Sequence, residues 1–364
     1  MSEILKEKHV KFFRRCINMW PEAYEAHDSN KMAIVYFSLA GLDVLGALHK
    51  EKGDDGYEKY EIERREAIDW VYSHLVPSGS GFRGSFTYDL GTQDESGSYD
   101  PPNLAATGFA LQILLTLRDE SMKERLDKEK IMGFVKSCQQ SDGQFCPIVD
   151  VDGQPFGDTD LRYCMIAATI RKILKYQSGG ASDINIEMLS KFTLSTMGCD
   201  GGMASTALTL GESHAGLTFC GLNTLALLGK LDLEDKRWDD TVDWLVHRQI
   251  SADMAVDSLD AGGFNGRENK RADTCYVFWV LGSLVVLGNK EVLIDVESAK
   301  VFLLDHMQDT LLGGFAKGHG ETPDPYHSFL GLAALSILKA KGLQSVDVEL
   351  VITKGAKEFY ETAI

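Results

Sequence analysis

The chain has 364 residues, 44% of them apolar, and a formal net charge of −17. That length can bury a large core, as two domains or one long repeat domain, while the acidic balance speaks against nucleic acid as a partner and suits a basic protein substrate drawn in by long-range steering. Seven scattered cysteines point to reduced thiols in a cytosolic protein; no basic, apolar leader opens the sequence and no apolar run reaches the length of a membrane span.

In chain order, the first strong signal is an apolar helical run at 33–48. A highly charged stretch at 49–66 follows and reads as a surface loop with a helix start. A glycine-led turn then recurs: Gly81-Phe82-Arg83-Gly84, Asp142-Gly143-Gln144-Phe145, Asp200-Gly201-Gly202-Met203, Gly262-Gly263-Phe264-Asn265 and Gly313-Gly314-Phe315-Ala316. The interval, roughly 50–60 residues, has room for two helices per repeat. Apolar runs follow the turns at 104–117, 162–174, 219–228, 276–287 and 328–338, and amphipathic helices such as 131–140 and 238–248 precede most of them. Residues 250–261 form an insertion before the fourth turn. Strand signals are few. One helix type apolar all round and one half polar imply two concentric layers, and with no polar cap repeat at either end, closure into a ring is favoured over an open solenoid. The expected fold is all-α: an α/α barrel of helical hairpins around a central cavity, spanning 1–364 as a single domain, with the glycine-led turns and the helix starts around that cavity.

Chemistry concentrates in residues 263–279. Arg267 and Lys270 suit anionic oxygens, and Asp273 and Cys275 suit a metal such as zinc. Residues two apart diverge inside a helix, so this pair can share an ion only if Asp273 is the N-cap and the helix begins after it. Alone, Asp-x-Cys is a weak signal, better read as a plain capped core helix until a third ligand joins it. His327, at the start of the helix after the fifth turn, holds the corresponding place in the next repeat and supplies a third ligand. Asp, Cys and His with a fourth position open is a catalytic zinc arrangement that would activate a bound thiol. His214 begins the helix after the third turn and would face Arg267, Lys270 and Tyr276 across a repeat junction, four donors suited to a diphosphate. Asp239-Asp240-Thr241-Val242-Asp243 matches a magnesium–diphosphate pattern, but it opens an amphipathic helix and reads as an outer-layer first turn. The remaining cysteines read mainly as core residues.

These residues resemble a known family over nearly the whole chain: the β subunits of protein prenyltransferases, best matching the type I geranylgeranyl branch. The likeness rests on residues 8–13, 81–85 and 212–216, on Gly266 to Lys270 with Asp273, Cys275 and Tyr276, and on 313–317 with Tyr326 and His327. It implies an α/α barrel and zinc on Asp273, Cys275 and His327. It also implies geranylgeranyl diphosphate on His214, Arg267, Lys270 and Tyr276, and an α subunit shared with farnesyltransferase. The substrates it implies are proteins ending in Cys-a-a-X, often with Leu last, such as Rho-type GTPases. Lys317 stands where the farnesyl branch has a magnesium-binding aspartate, so transfer is expected without added magnesium. Ala33 stands where that branch has a tryptophan closing the lipid pocket, so Ala33→Trp is expected to shift preference to farnesyl. Phe37, Met165 and Arg162 are expected in the lipid or peptide pocket. Tyr326, Asn103 and Met165 depart from the family pattern. A triterpene cyclase on a similar barrel would need an Asp-x-Asp-Asp motif, which the sequence lacks; a non-catalytic helical-repeat scaffold would need no metal.

Overall fold

A computed structural model describes residues 2–19, 22–85, 101–177, 179–206 and 211–364. Its helices come in hairpins. In chain order these are α1 (Lys6–Asn18) and α2 (Lys31–Val44), α3 (Tyr57–Ser73) and α4 (Leu104–Thr116), then, after the short α5 (Met122–Arg125), α6 (Lys128–Ser137) and α7 (Leu161–Ile173). The series continues with α8 (Ile186–Ser195) and α9 (Ala215–Leu227), α10 (Arg237–Val246) and α11 (Thr274–Val286), and α12 (Val296–Val301), extended by a wider turn over Phe302–Met307, with α13 (Pro325–Ile337). The first helix of each pair is amphipathic: α6 buries Ile131, Met132, Phe134 and Val135 and turns its charged residues outward. The second is apolar almost all round and forms the inner layer.

Among the described residues the inner helices pack in an unbroken cycle, α2 on α4, α4 on α7, α7 on α9, α9 on α11, α11 on α13 and α13 back on α2. The expected α/α barrel is thus observed, closed as a ring. No helix among the described residues is long and apolar enough to cross a membrane.

Each glycine-led turn makes one isolated bridge from the end of the outer helix to a fully buried side chain of the motif: Phe82, Phe145, Met203, Phe264 and Phe315. In three repeats a hydroxyl in the first turn of the inner helix accepts the N–H of that residue: Thr107 for Phe82, Thr218 for Met203 and Ser328 for Phe315. No residue of these turns lines the main cavity, contrary to the expectation from sequence, although Arg83 and Gly84 of the first turn line a hollow beside it. A Cβ at Gly143, Gly201, Gly262 or Gly313 would come within 2.4, 2.6, 2.3 and 2.4 Å of backbone atoms of α8, α10, α12 and α1. The glycines, all at positive φ, let each repeat press against the next outer helix, and Gly313 performs the closing contact with α1.

Among the described residues the strands are ladders of two residues: β1 (Ile148–Val149) with β2 (Pro155–Phe156), β3 (Phe315–Ala316) with β4 (Pro323–Asp324), and β5 (Val346–Asp347) with β6 (Ile352–Thr353). The last hairpin and α14 (Lys354–Ala363) come from a stretch to which the sequence reading gave no role; they lie across the end of the ring opposite the inner-helix starts, α14 packing on α4.

Candidate metal and anion site at the helix starts

Five of the six inner-helix starts, all but that of α2, share one device. Asn103, Asp160, His214, Asp273 and Asp324 are the N-caps of α4, α7, α9, α11 and α13, each accepting from one or two backbone N–H groups of the first turn. Because the helices run the same way around the ring, their caps form one rim, where the exposed helix dipoles favour negative charge.

Two of these caps build the candidate metal centre. Asp273 accepts from the Cys275 N–H at 2.8 Å, the extended backbone at the cap letting both side chains face the same way. His327, in the first turn of α13, brings Nε2 to 3.3 Å from Asp273 Oδ1, and donor atoms of Asp273, Cys275 and His327 lie within 4.8 Å of one another. Asp273 and Cys275 are nearly buried, at 8% and 5% exposure. The Asp324 cap binds both the backbone N–H of His327, at 2.9 Å, and its Nδ1, at 2.5 Å, so Nε2 is the ring nitrogen aimed at the other two ligands.

Electrostatics test whether a cation fits. Burial alone would lower the His327 pKa, but hydrogen bonds to Asp273 and Asp324 outweigh it and lift the imidazole to about 9. Asp273 is held low despite its burial, chiefly by His327. Burial and the neighbouring Asp273 push the Cys275 thiol well up, against hydrogen bonds from Tyr326 and Trp279. The cluster therefore holds a positive charge on His327 when no metal competes, and its thiol ionises only beside a further cation. A divalent ion on these three atoms meets both demands, with carboxylate, thiolate and imidazole as a donor set suited to zinc.

Beside it, His214 Nδ1 accepts from the N–H groups of Gly216 and Leu217 at 3.1 and 3.4 Å, which leaves the proton on Nε2, 3.0 Å from the Tyr276 hydroxyl. Burial, then the charges of Arg267 and Arg162, hold the His214 pKa below its ordinary value. The neutral ring donates to the Tyr276 oxygen and frees the phenolic proton for another acceptor. Arg267 forms an ion pair with Glu212 at 2.7 Å. Lys270 and Lys317 are exposed, and the Lys317 carbonyl accepts from the Thr274 N–H, which ties the start of α11 to the fifth turn. Arg162 donates to both oxygens of Asp160.

Below the rim opens a cavity of about 660 Å³ whose lining includes Arg162 and His214 at the polar end and Phe37, Met165, Trp279 and Tyr326 along its walls. Three of the four expected pocket residues, Phe37, Met165 and Arg162, are thus found together. Ala33 lies instead in an adjoining hollow of about 350 Å³ that it lines with Asn103 and that shares Ala105 and Phe109 with the main cavity. The acidic motif at 239–243 is on α10, with Asp239, Asp240 and Asp243 exposed on the outer layer, as expected. Of the other cysteines, Cys138, Cys146, Cys164 and Cys220 are buried, Cys16 is half-buried and Cys199 exposed; none forms a disulfide. The sequence reading missed Asp324. Its N-cap position, three residues ahead of His327, was the available signal.

A family model for the prenyltransferase alpha-alpha toroid domain matches residues 4–352. Geranylgeranyl transferase type-1 subunit beta of Dictyostelium discoideum is 33% identical over 100% of this chain and 99% of its own length. The protein of the same name from Arabidopsis thaliana is 28% identical over 95% and 88%. A solved structure of Candida albicans protein geranylgeranyltransferase-I complexed with GGPP matches all of both chains with a TM-score of 0.88 and 34% identity. A D-mannose isomerase, TM-score 0.54 at 12% identity, shares the fold alone.

Proposed function

The chain belongs to the prenyltransferase alpha-alpha toroid family, and on that premise we propose that it is the catalytic β subunit of a type I protein geranylgeranyltransferase, over residues 1–364 as one domain. It transfers geranylgeranyl from geranylgeranyl diphosphate to the thiol of a C-terminal Cys-a-a-X protein, often with Leu last, such as a Rho-type GTPase. It works in the cytoplasm as a heterodimer with an α subunit shared with farnesyltransferase. The observation that carries this reading is the convergence of Asp273, Cys275 and His327 beside the polar mouth of a deep apolar cavity.

In this reading Asp273, Cys275 and His327 hold zinc, which when bound makes a substrate thiol acidic enough to ionise near neutral pH. Asp324 fixes the His327 ring. The apolar walls take the isoprenoid, with Phe37 and Met165 against it. Tyr276, its oxygen held by His214, donates its phenolic proton to the diphosphate, and Arg267 exchanges Glu212 for it. Lys270 and Lys317 add positive charge as the leaving group gains negative charge, so magnesium is not required. Bond formation needs no covalent link to the enzyme; positioning and charge stabilisation do the work. Lys317 and Ala33 disfavour the farnesyl branch.

The test is co-expression with an α subunit, metal analysis, and assay with both lipid donors against Cys-a-a-Leu and Cys-a-a-Ser peptides, with and without magnesium. One zinc per heterodimer and magnesium-independent geranylgeranyl transfer to Cys-a-a-Leu are expected. Metal-free active protein, or preference for farnesyl, would overturn the assignment.

A further inference from the structure

Among the described residues the ring is open at its rim, and its other end is crossed by the chain's own C-terminal segment. Three successive carbonyls of that segment each accept from a side chain on a different inner helix. Asn223 of α9 donates to Glu349 at 2.9 Å, Gln112 of α4 to Leu350 at 2.8 Å, and Tyr36 of α2 to Val351. The next anchor is Thr353, whose hydroxyl donates to buried Asp43 of α2.

Val351 lines the cavity and has φ +54°. A β-branched residue in the left-handed region is disfavoured by its own Cβ, so the surrounding bonds must hold it there. Its depth follows from the helices. Gln112 lies eight residues beyond the first residue of α4, or about 12 Å below the rim at the ordinary helical rise. The same cavity that begins at Arg162 and His214 ends at Tyr36, Gln112 and Val351. The Tyr36 hydroxyl and the Gln112 amide are committed to plug carbonyls and the hydroxyl of Thr169, at the same depth on α7, to the Met165 carbonyl, so the isopropyl group of Val351 is the plug's own apolar contribution to the cavity's blunt end.

We propose that Val351 is a specificity-determining residue that gauges chain length: the C-terminal plug is the stop against which the far end of an isoprenoid diphosphate rests. This inference rests on the reading of the cavity as the isoprenoid site. It differs from control at Ala33, which acts sideways across Phe109 in the adjoining hollow rather than at the floor.

The experiment uses the co-expressed heterodimer and competition binding with farnesyl, geranylgeranyl and geranylfarnesyl diphosphates, with inorganic pyrophosphate as a head-group probe. Val351→Gly removes the stop and places at φ +54° the residue that tolerates it best, so the variant should fold. It is expected to improve binding of geranylfarnesyl relative to geranylgeranyl diphosphate by about tenfold, the scale of a changed apolar contact. Val351→Leu is expected to weaken geranylgeranyl relative to farnesyl diphosphate by a similar factor. Pyrophosphate binding should stay at the wild-type value in both. Wild-type binding of geranylgeranyl diphosphate with donor ratios unchanged in Val351→Gly overturns the gauge and leaves the transferase reading standing. Failure of the wild type to bind any of the three donors overturns both.

Discussion

The two ends of the ring are both tied to backbone, but in opposite senses. At the rim, side chains accept from the free N–H groups of helix starts, as Asp273 does from Cys275 and His214 from Gly216 and Leu217. At the closed end, side chains donate to the carbonyls of a crossing segment, as Asn223, Gln112 and Tyr36 do at 349–351. A carboxylate or imidazole that caps a helix still has a second atom to offer a ligand. An amide N–H or hydroxyl proton committed to a buried carbonyl does not. The difference teaches why one end carries chemistry and the other carries shape, although both are made of buried polar groups.

Substitutions should separate the two ends. The largest effect is expected from Cys275→Ala, or from metal removal: prenyl transfer should fall on the order of 10³-fold. The lipid should still bind, because the cavity and the His214 group are untouched. Equal loss of lipid binding would merge rim and cavity into one unit. Next comes a pH effect at the closed end. Burial pushes the Asp43 carboxyl up to about 6, against hydrogen bonding from Thr353 and the charge of Arg118. His49 faces it at 3.5 Å and is held down to about 4, first by its own burial. A folded pKa above the unfolded one means stability is fullest below the unfolded value and is lost as pH rises through about 6. Asp43→Asn should therefore melt higher than the wild type above that pH, by an amount on the order of 2–3 kcal/mol, with the gap closing toward pH 4. A gap that does not vary with pH would contradict this.

Asp324→Asn at the rim should reduce metal affinity roughly 10–100-fold, as expected for a partner that orients a ligand imidazole, with the melting of the metal-free protein little changed. Titration with a chelator reads this directly. Tyr36→Phe should do the converse: the loss of one buried hydrogen bond should lower stability by about 1 kcal/mol without altering metal content. A change in metal content would couple the two ends.

The rim was legible in the sequence because caps are local. Asp273, followed by an apolar run, announces a helix start, and the repeat puts His327 in register with it. The ring was legible for a similar reason: glycine-led turns at near-constant spacing mark hairpins, and helices apolar on every side have to lie inside. Asp324 was passed over because its bond to His327 depends on which imidazole nitrogen faces inward, a choice made by tertiary structure. The closed end was not legible at all. Its donors, Tyr36, Gln112 and Asn223, sit in apolar helices with nothing nearby in sequence to pair with, and their acceptors lie between 126 and 315 residues away. The outward packing of the glycines was missed because the spacing of a turn gives its place in the repeat but not the direction in which it presses.

The contact between Gly313 and α1 bears on how the molecule is made. His9 bonds Gln308 at 2.8 Å and accepts from the Gly314 N–H at 2.8 Å, and Lys8 meets Gly313, so the seam joins segments about 300 residues apart in the chain. During synthesis the first hairpin leaves the ribosome long before the strip that covers it exists, and one apolar flank must wait through most of translation for the last turn. The newborn chain is thus a lengthening arc with two sticky ends. Sheltering those ends, by chaperone or by an early-binding partner chain, would govern the yield of finished toroid more than any single repeat's stability.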